Sequence, residues 1–175
     1  MNILGLNLGH DSSSALFIKG EVVAACEQER YSKLKHTREF PIDAINDCLK
    51  IAKLKINDID LISVSSLPEK HLKDFYLKPA FEDMRKINFI FDGIDRIKNL
   101  LNLEKIIKSR LGYKKKIEFN NHHLCHLAST FYPSGFNKSL IVSYDGLGEY
   151  ETGLIGIGKN KNIDVIHNKN VFPNS

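Results

Sequence analysis

The stretch Ile3-Leu4-Gly5-Leu6-Asn7-Leu8-Gly9-His10-Asp11-Ser12-Ser13-Ser14-Ala15-Leu16-Phe17-Ile18-Lys19-Gly20-Glu21-Val22-Val23-Ala24-Ala25-Cys26 reads as three strands joined by two turns. Ile3 to Leu8 is apolar with little alternation, the pattern of a central strand covered on both faces. Gly9 to Ser12 breaks it, Ala15 to Ile18 resumes a strand, Lys19-Gly20 makes a hairpin turn, and Glu21 to Cys26 returns. The chain therefore opens on an antiparallel meander.

Beyond the meander, residues 30 to 40 are polar and basic without a period and read as a loop. Pro41 suits a helix N-terminus, and Ile42, Ile45, Leu49 and Ala52 recur at helical spacing to about Lys53. Asp60 to Ser65 is the next strand. Met84, Ile87, Ile90, Phe91, Ile94, Ile97 and Leu101 then form an amphipathic stripe that runs on through Ile107 to Leu111, with Gly112 as its stop. Asp92, Asp95 and Glu104 mix the polar face of this stripe, which suits a packing helix or insertion better than a membrane-surface helix. Ile117 to Phe119 is a short strand, and residues 122 to 131 follow as a helix.

The end of the chain repeats the pattern of its beginning. Ser139 to Tyr144, a turn at Asp145-Gly146-Leu147-Gly148, Gly153 to Ile157, a turn at Lys159 to Asn162, and Ile163 to His167 form a second meander. Meander, helix, strand, helices, strand, helix and again meander is the α/β order of the ribonuclease-H-like fold, duplicated in the actin, sugar-kinase and Hsp70 ATPase superfamily. In that superfamily the glycine turn after the first strand of each lobe faces a nucleotide cleft. The expected organisation is a first lobe over residues 1–137, with a helical insertion at about 68–112, and the opening strands of an incomplete second lobe over 138–175. A bare meander exposes a wide apolar face, so the chain reads as the front part of a longer protein, and self-association into a homo-oligomer is expected of it.

Composition narrows the class. With 175 residues and 42% hydrophobic content the chain can bury a sizeable core. No apolar run approaches the ~18 residues that a membrane span needs, and Met1-Asn2-Ile3-Leu4-Gly5-Leu6 lacks the basic region and cleavage site of a leader. Three cysteines without paired spacing fit reduced thiols, so a cytoplasmic protein is expected. The formal charge of +4 is modest, and Lys114-Lys115-Lys116 has no interleaved aromatics, so neither direct nucleic-acid binding nor membrane binding is favoured.

The chemistry concentrates in His122-His123-Leu124-Cys125-His126 and Asp145-Gly146-Leu147-Gly148-Glu149. On a helix, His122 and His126 lie at i and i+4 on one face, so two imidazoles can converge on one cation. Asp145, at the end of an apolar strand, would be the third ligand. The glycines after it, Gly146 and Gly148, would bring backbone amides close to an anion, so the combination suggests a metal beside a phosphate. A helical His-Glu-x-x-His would add a general-base glutamate, but that position holds His123, which argues against a metalloprotease. The plain alternative is a histidine pair that caps or packs a helix without metal. Two imidazoles and a carboxylate suit zinc and iron(II) about equally.

Taken together, these residues resemble the N-terminal part of the O-carbamoyltransferases of the nodulation and antibiotic-biosynthesis type, relatives of the threonylcarbamoyl-adenosine tRNA-modification enzymes. The resemblance rests on Ile3 to Ala15, on Glu27-Gln28-Glu29-Arg30-Tyr31 with Lys35-His36, on His122 to Ser129 with Tyr132-Pro133-Ser134-Gly135-Phe136, and on Asp145 to Glu149. It implies metal-assisted transfer of a carbamoyl group from carbamoyladenylate to a hydroxyl, often on a sugar. The adenylate would come from carbamoyl phosphate and ATP in a C-terminal domain that this chain lacks. It further implies iron(II), with zinc a second occupant, held by His122, His126, Asp145 and an aspartate beyond Ser175. His10 and Asp11 would face the cleft, Asp11 on the nucleotide side. His10 and Lys35 would serve at the carbamoyl end, Lys35 as the cation for a developing oxyanion. A threonylcarbamoyl-transfer enzyme and a non-catalytic nucleotide- or partner-binding module are the alternatives; Gly9-His10-Asp11-Ser12 and Glu27-Gln28-Glu29-Arg30 favour the small-molecule branch over the first, and a reading frame continuing past Ser175 would weigh against the second.

Overall fold

The structure, a computed structural model, describes residues 1–146, 148 and 151–170. Leu147 and Glu149 of the glycine-turn motif, and residues 171–175, lie outside the described residues. Contacts gather the chain into two compact units, residues 1–66 with 102–119, and residues 67–101 with 120–175.

The first unit is built on a five-stranded sheet of order β3-β2-β1-β4-β5, with β1 Asn2–Asn7, β2 Ser13–Ile18, β3 Glu21–Glu27, β4 Leu61–Val64 and β5 Lys116–Phe119. β1, β2 and β3 pair antiparallel, while β4 runs parallel to β1 and β5 parallel to β4. This meander extended on its first strand by parallel crossovers is the ribonuclease-H-like arrangement expected from the sequence. β1 is central, as its apolar run required, but its burial alternates: Leu4 and Leu6 are buried while Ile3 and Gly5 are only partly covered.

Helix α1 (Glu29–Ser32) is a single turn in a stretch expected to be loop, stopped by Lys33 in the left-handed region at φ 60°. Helix α2 (Ile42–Ala52) buries Ala44, Ile45, Cys48 and Leu49, which join Leu4, Leu16 and Ile62 in the core. Pro41 precedes α2 without offering a side-chain cap. Gln28 supplies one from a distance, its buried Oε1 accepting from the Asp43 and Ala44 amides at 3.2 Å each. Two of the donors that a helix start leaves unsatisfied are thereby met.

After Pro68 the chain forms short helices, α3 Pro68–His71, α4 Lys78–Glu82, α5 Asn88–Asp92, α6 Ile94–Leu101 and α7 Leu103–Leu111, so the continuous stripe expected from Met84 to Leu111 is broken into pieces. A π turn, Leu72–Leu77, lies between α3 and α4, just before Pro79, which has no amide hydrogen to offer an i−4 carbonyl. Gly93 and Asn102, both poor helix formers, sit at the breaks on either side of α6. α7 belongs to the first unit, where Ile107 is fully buried in the core and Gly112 ends the helix at φ 63°.

In the second unit, β6 Lys138–Tyr144, β7 Glu151–Lys159 and β8 Asn162–Asn170 form an antiparallel meander of order β6-β7-β8. Helix α8 (His122–Phe131) packs on β6 and β7 through His123, Leu127 and Phe131, one side chain per turn. The sequence reading set this helix at the close of the first lobe; it covers a face of the second sheet. Glycine makes the close approach possible, since a Cβ at Gly158 would stand 2.5–2.6 Å from three Phe131 ring atoms. The other face of β6 is open, with Leu140, Val142 and Tyr144 exposed in alternation with Ile141 and Ser143. No helix among the described residues is long and apolar enough to cross a membrane.

Candidate metal centre

Helix α8 places its histidines by phase. His123, Leu127 and Phe131 form the buried stripe, so His122 and His126, one residue earlier on each turn, form a neighbouring stripe at the side of the helix. The helix start is fixed by Asn121, whose side-chain oxygen accepts from the Leu124 amide at 2.9 Å. Asn121 also donates through Nδ2 to Glu151 Oε2 at 3.0 Å, and Lys70 Nζ pairs with the other oxygen of the same buried carboxylate.

Asp145 follows β6 directly, and its amide donates to the Thr152 carbonyl at 3.0 Å. Its Oδ2 lies 3.1 Å from His122 Nε2 and 3.5 Å from His126 Nε2, and the two Nε2 atoms face each other at 3.0 Å. Ligand atoms about 2.1 Å from one ion, meeting at about 90–110°, stand about 3.0–3.4 Å apart, so these separations match the edges of a coordination polyhedron. The imidazole rings meet edge to face, with centroids 4.5 Å apart. Burial and the neighbouring His122 hold His126 below the usual imidazole range despite Asp145, which keeps it neutral and able to ligate. Burial raises the Asp145 carboxyl, but hydrogen bonds from His122 and the Gly146 amide outweigh it and leave the group below its ordinary value.

His123, which occupies the position of the missing protease base, is fully buried and fully bonded. Its Nε2–H donates to the Glu151 carbonyl at 2.8 Å, since a carbonyl can only accept, and Nδ1 then accepts from the Ser143 hydroxyl at 2.8 Å. The ring ties α8 to β6 and β7 and is unavailable as a ligand. Gly148 packs on it: a Cβ there would meet the ring at 2.8 Å. The Gly146 amide bonds Asp145 Oδ1 at 2.6 Å and the Gly148 amide bonds the Glu151 carbonyl at 2.8 Å, so both amides of the turn are engaged within it.

In the first unit, His10 and Asp11 lie in the turn between β1 and β2, and Lys35 is exposed in the loop before α2. Asp11 is met there by a residue that the sequence reading gave no role, His36, whose Nδ1 lies 2.8 Å from Asp11 Oδ1. The pair Lys35-His36 was visible as a motif, but nothing in spacing tied His36 to a residue 25 positions earlier. Asn121, Ser143, Glu151 and Lys70, which set the pose of α8, were likewise missed, because each acts through tertiary hydrogen bonds.

Residues 2–175 match the family described as Carbamoyltransferase N-terminus, and the chain belongs to that family. It is 33% identical over 170 residues to the uncharacterized protein sll1178 of Synechocystis, covering 90% of this chain and 27% of that protein. It is 31% identical over 156 residues to the nodulation protein NolNO of Sinorhizobium fredii, covering 85% of this chain and 21% of that protein. The chain thus spans about a quarter of the length of these curated relatives. Among solved structures, YeaZ from Pseudomonas aeruginosa shows a TM-score of 0.48 at 13% identity, over 95% of this chain and 64% of that one.

Proposed function

We propose that this chain is the metal-bearing part of a carbamoyltransferase that moves a carbamoyl group from carbamoyladenylate, made from carbamoyl phosphate and ATP, to a hydroxyl of a small molecule or sugar. The observation that carries the reading is the convergence of His122, His126 and Asp145 in a chain of the carbamoyltransferase N-terminus family. These three side chains would hold one divalent ion, iron(II) or zinc, whose chemistry would be to neutralise charge on the adenylate phosphate. α8 presets the imidazoles, while Asn121 and His123 keep the helix in place. Asp11 belongs to the nucleotide side, with Gly146 and Gly148 shaping the turn that carries Asp145. Lys35 supplies positive charge toward the carbonyl oxygen as the acceptor attacks, an interaction that strengthens only in the transition state, and His10 serves at the same carbamoyl end.

The test uses the full-length parent, assayed for carbamoyl-phosphate-dependent release of pyrophosphate from ATP and for transfer to hydroxyl acceptors. His122→Ala with His126→Ala should reduce bound metal by one ion and abolish transfer. Unchanged metal stoichiometry in that variant would overturn the assignment of the ligands. Lys35→Ala should keep metal and adenylate formation but lose about a hundred-fold or more in transfer, the usual cost of one oxyanion donor.

A further inference from the structure

The turn between β1 and β2 carries a second cluster with the same donor set as the first, two imidazoles and one carboxylate, on residues that the other site does not use. His10 Nδ1 lies 2.6 Å from Asp11 Oδ2 and His36 Nδ1 lies 2.8 Å from Asp11 Oδ1, so each carboxylate oxygen takes one imidazole. The two rings stack with centroids 4.8 Å apart and planes 23° from parallel. All three ligand atoms fall within 4.8 Å of one another.

Three features separate this cluster from a chance surface pairing. Asp11 and His36 both adopt the left-handed backbone region, at φ 57° each, a conformation that residues other than glycine hold at a cost. Both are pinned there from outside the cluster: Asn7 Nδ2 donates to the carbonyls of His10 and Asp11 at 2.9 and 3.0 Å, and the His36 amide donates to Glu29 Oε2 at 3.1 Å. The loop itself is fastened to the turn, with the Ser12 amide donating to the Thr37 carbonyl at 3.1 Å.

We infer that His10, Asp11 and His36 form a second divalent-metal site. The side chains of all three are about half exposed, which leaves one side of the cluster to water or an exogenous ligand, as in sites that keep open positions. The donor set selects a borderline ion such as zinc, cobalt(II) or iron(II), and disfavours magnesium and calcium, which take oxygen ligands. An opening of about half an ångström brings the nitrogen–oxygen distances to the about 3 Å edge of a coordination polyhedron, and the two Nδ1 atoms, which lie within 4.8 Å of each other, would close toward the same edge, a movement open to exposed rings. The inference shares no ligand with the first centre and is read by ion binding alone; His10 and Asp11, assigned above to the transfer site, would act there through the ion they hold.

The experiment titrates the tag-free 175-residue chain with Zn2+ and Co2+, following heat and the cobalt visible bands, with circular dichroism confirming the fold of each variant. The wild type is expected to bind two ions. His122→Ala with His126→Ala should still bind one. Adding His36→Ala to that background should weaken the remaining site at least about tenfold, the lower bound seen even when an outer partner of a ligand is lost. Should His36→Ala fail to fold, His36→Gln, which can keep a hydrogen bond to Asp11 but is a poor ligand, carries the same expectation. Failure of the His122, His126 double variant to bind any ion up to millimolar Zn2+ would overturn the second site. So would an unchanged affinity on loss of His36. A wild type that binds one ion, lost with His36 and kept in the double variant, would instead support this site and count against the first.

Discussion

Asn121 makes the pose of the histidine helix testable, because it makes two separable contacts. Its oxygen caps α8 through the Leu124 amide at 2.9 Å, and its Nδ2 donates to the buried Glu151 carboxylate at 3.0 Å. Losing a cap costs about 1 kcal/mol, and losing a hydrogen bond to a charged buried group costs about 1.5–3 kcal/mol. Asn121→Ala should therefore destabilise the protein by about 2.5–4 kcal/mol, the sum of the two. Asn121→Ser keeps a capping oxygen but is too short to reach Glu151, so its cost should be smaller by the about 1 kcal/mol of the cap. Urea unfolding followed by far-ultraviolet circular dichroism measures both, read from midpoints at a common slope. A fraying first turn would also loosen His122, so the alanine variant should bind Zn2+ more weakly than the serine variant. An alanine variant within about 0.5 kcal/mol of wild type, the range of an ordinary surface change, would refute the reasoning, and equal costs for the two variants would show that the cap contributes nothing.

Gly158→Ala should destabilise by about 1–3 kcal/mol, because its Cβ would stand 2.5–2.6 Å from the buried Phe131 ring; Phe131→Leu in the same chain should recover part of that loss, and an unchanged melting temperature for the single variant would refute the close packing. Cys48 should be the slowest of the three cysteines toward a chromogenic disulfide reagent at pH 8. Burial first, then the neighbouring Cys26, pushes its thiol up to about 12, and since a raised pKa lowers the thiolate fraction, only about one molecule in ten thousand is reactive at that pH. Release of all three thiols at one rate in native buffer would contradict this.

What was legible in the sequence was local. The meanders showed themselves because short apolar runs are bounded by turn residues, and Lys19-Gly20 has no other comfortable reading than a turn; Lys19 and Gly20 indeed take φ 54° and 93°. The α8 histidines showed themselves because i and i+4 are neighbours on any helix. The segment after Pro68 misled for the same reason. Its apolar stripe kept helical spacing across Gly93 and Asn102, so the period survived while the helix broke. Contacts made across the fold left no local mark: Glu151 lies outside the strand expected at Gly153 to Ile157, yet its side chain is 4% exposed and takes a charge-assisted bond from Lys70 and a hydrogen bond from Asn121. His36 is the same case, since only the fastening of loop to turn brings it to Asp11.

The two clusters reach one donor set by different routes, and the routes predict an order of affinity. In the second unit both imidazoles stand on successive turns of a ten-residue helix that is capped, packed by a buried histidine and set close on a glycine-bearing strand, so little freedom remains to be lost on binding an ion. In the first unit one imidazole is the sequence neighbour of the aspartate and the other arrives on a polar loop, and their side chains are 53% and 58% exposed. An ion there must order two rings that water otherwise shares. Stepwise titration of the 175-residue chain should therefore fill His122, His126 and Asp145 first, and the His122→Ala, His126→Ala variant should retain the weaker of the two wild-type steps. If it retains the tighter step, the helix is not what organises the stronger site, and the held backbone of Asp11 and His36, with both residues fixed in the left-handed region, outweighs the helical scaffold.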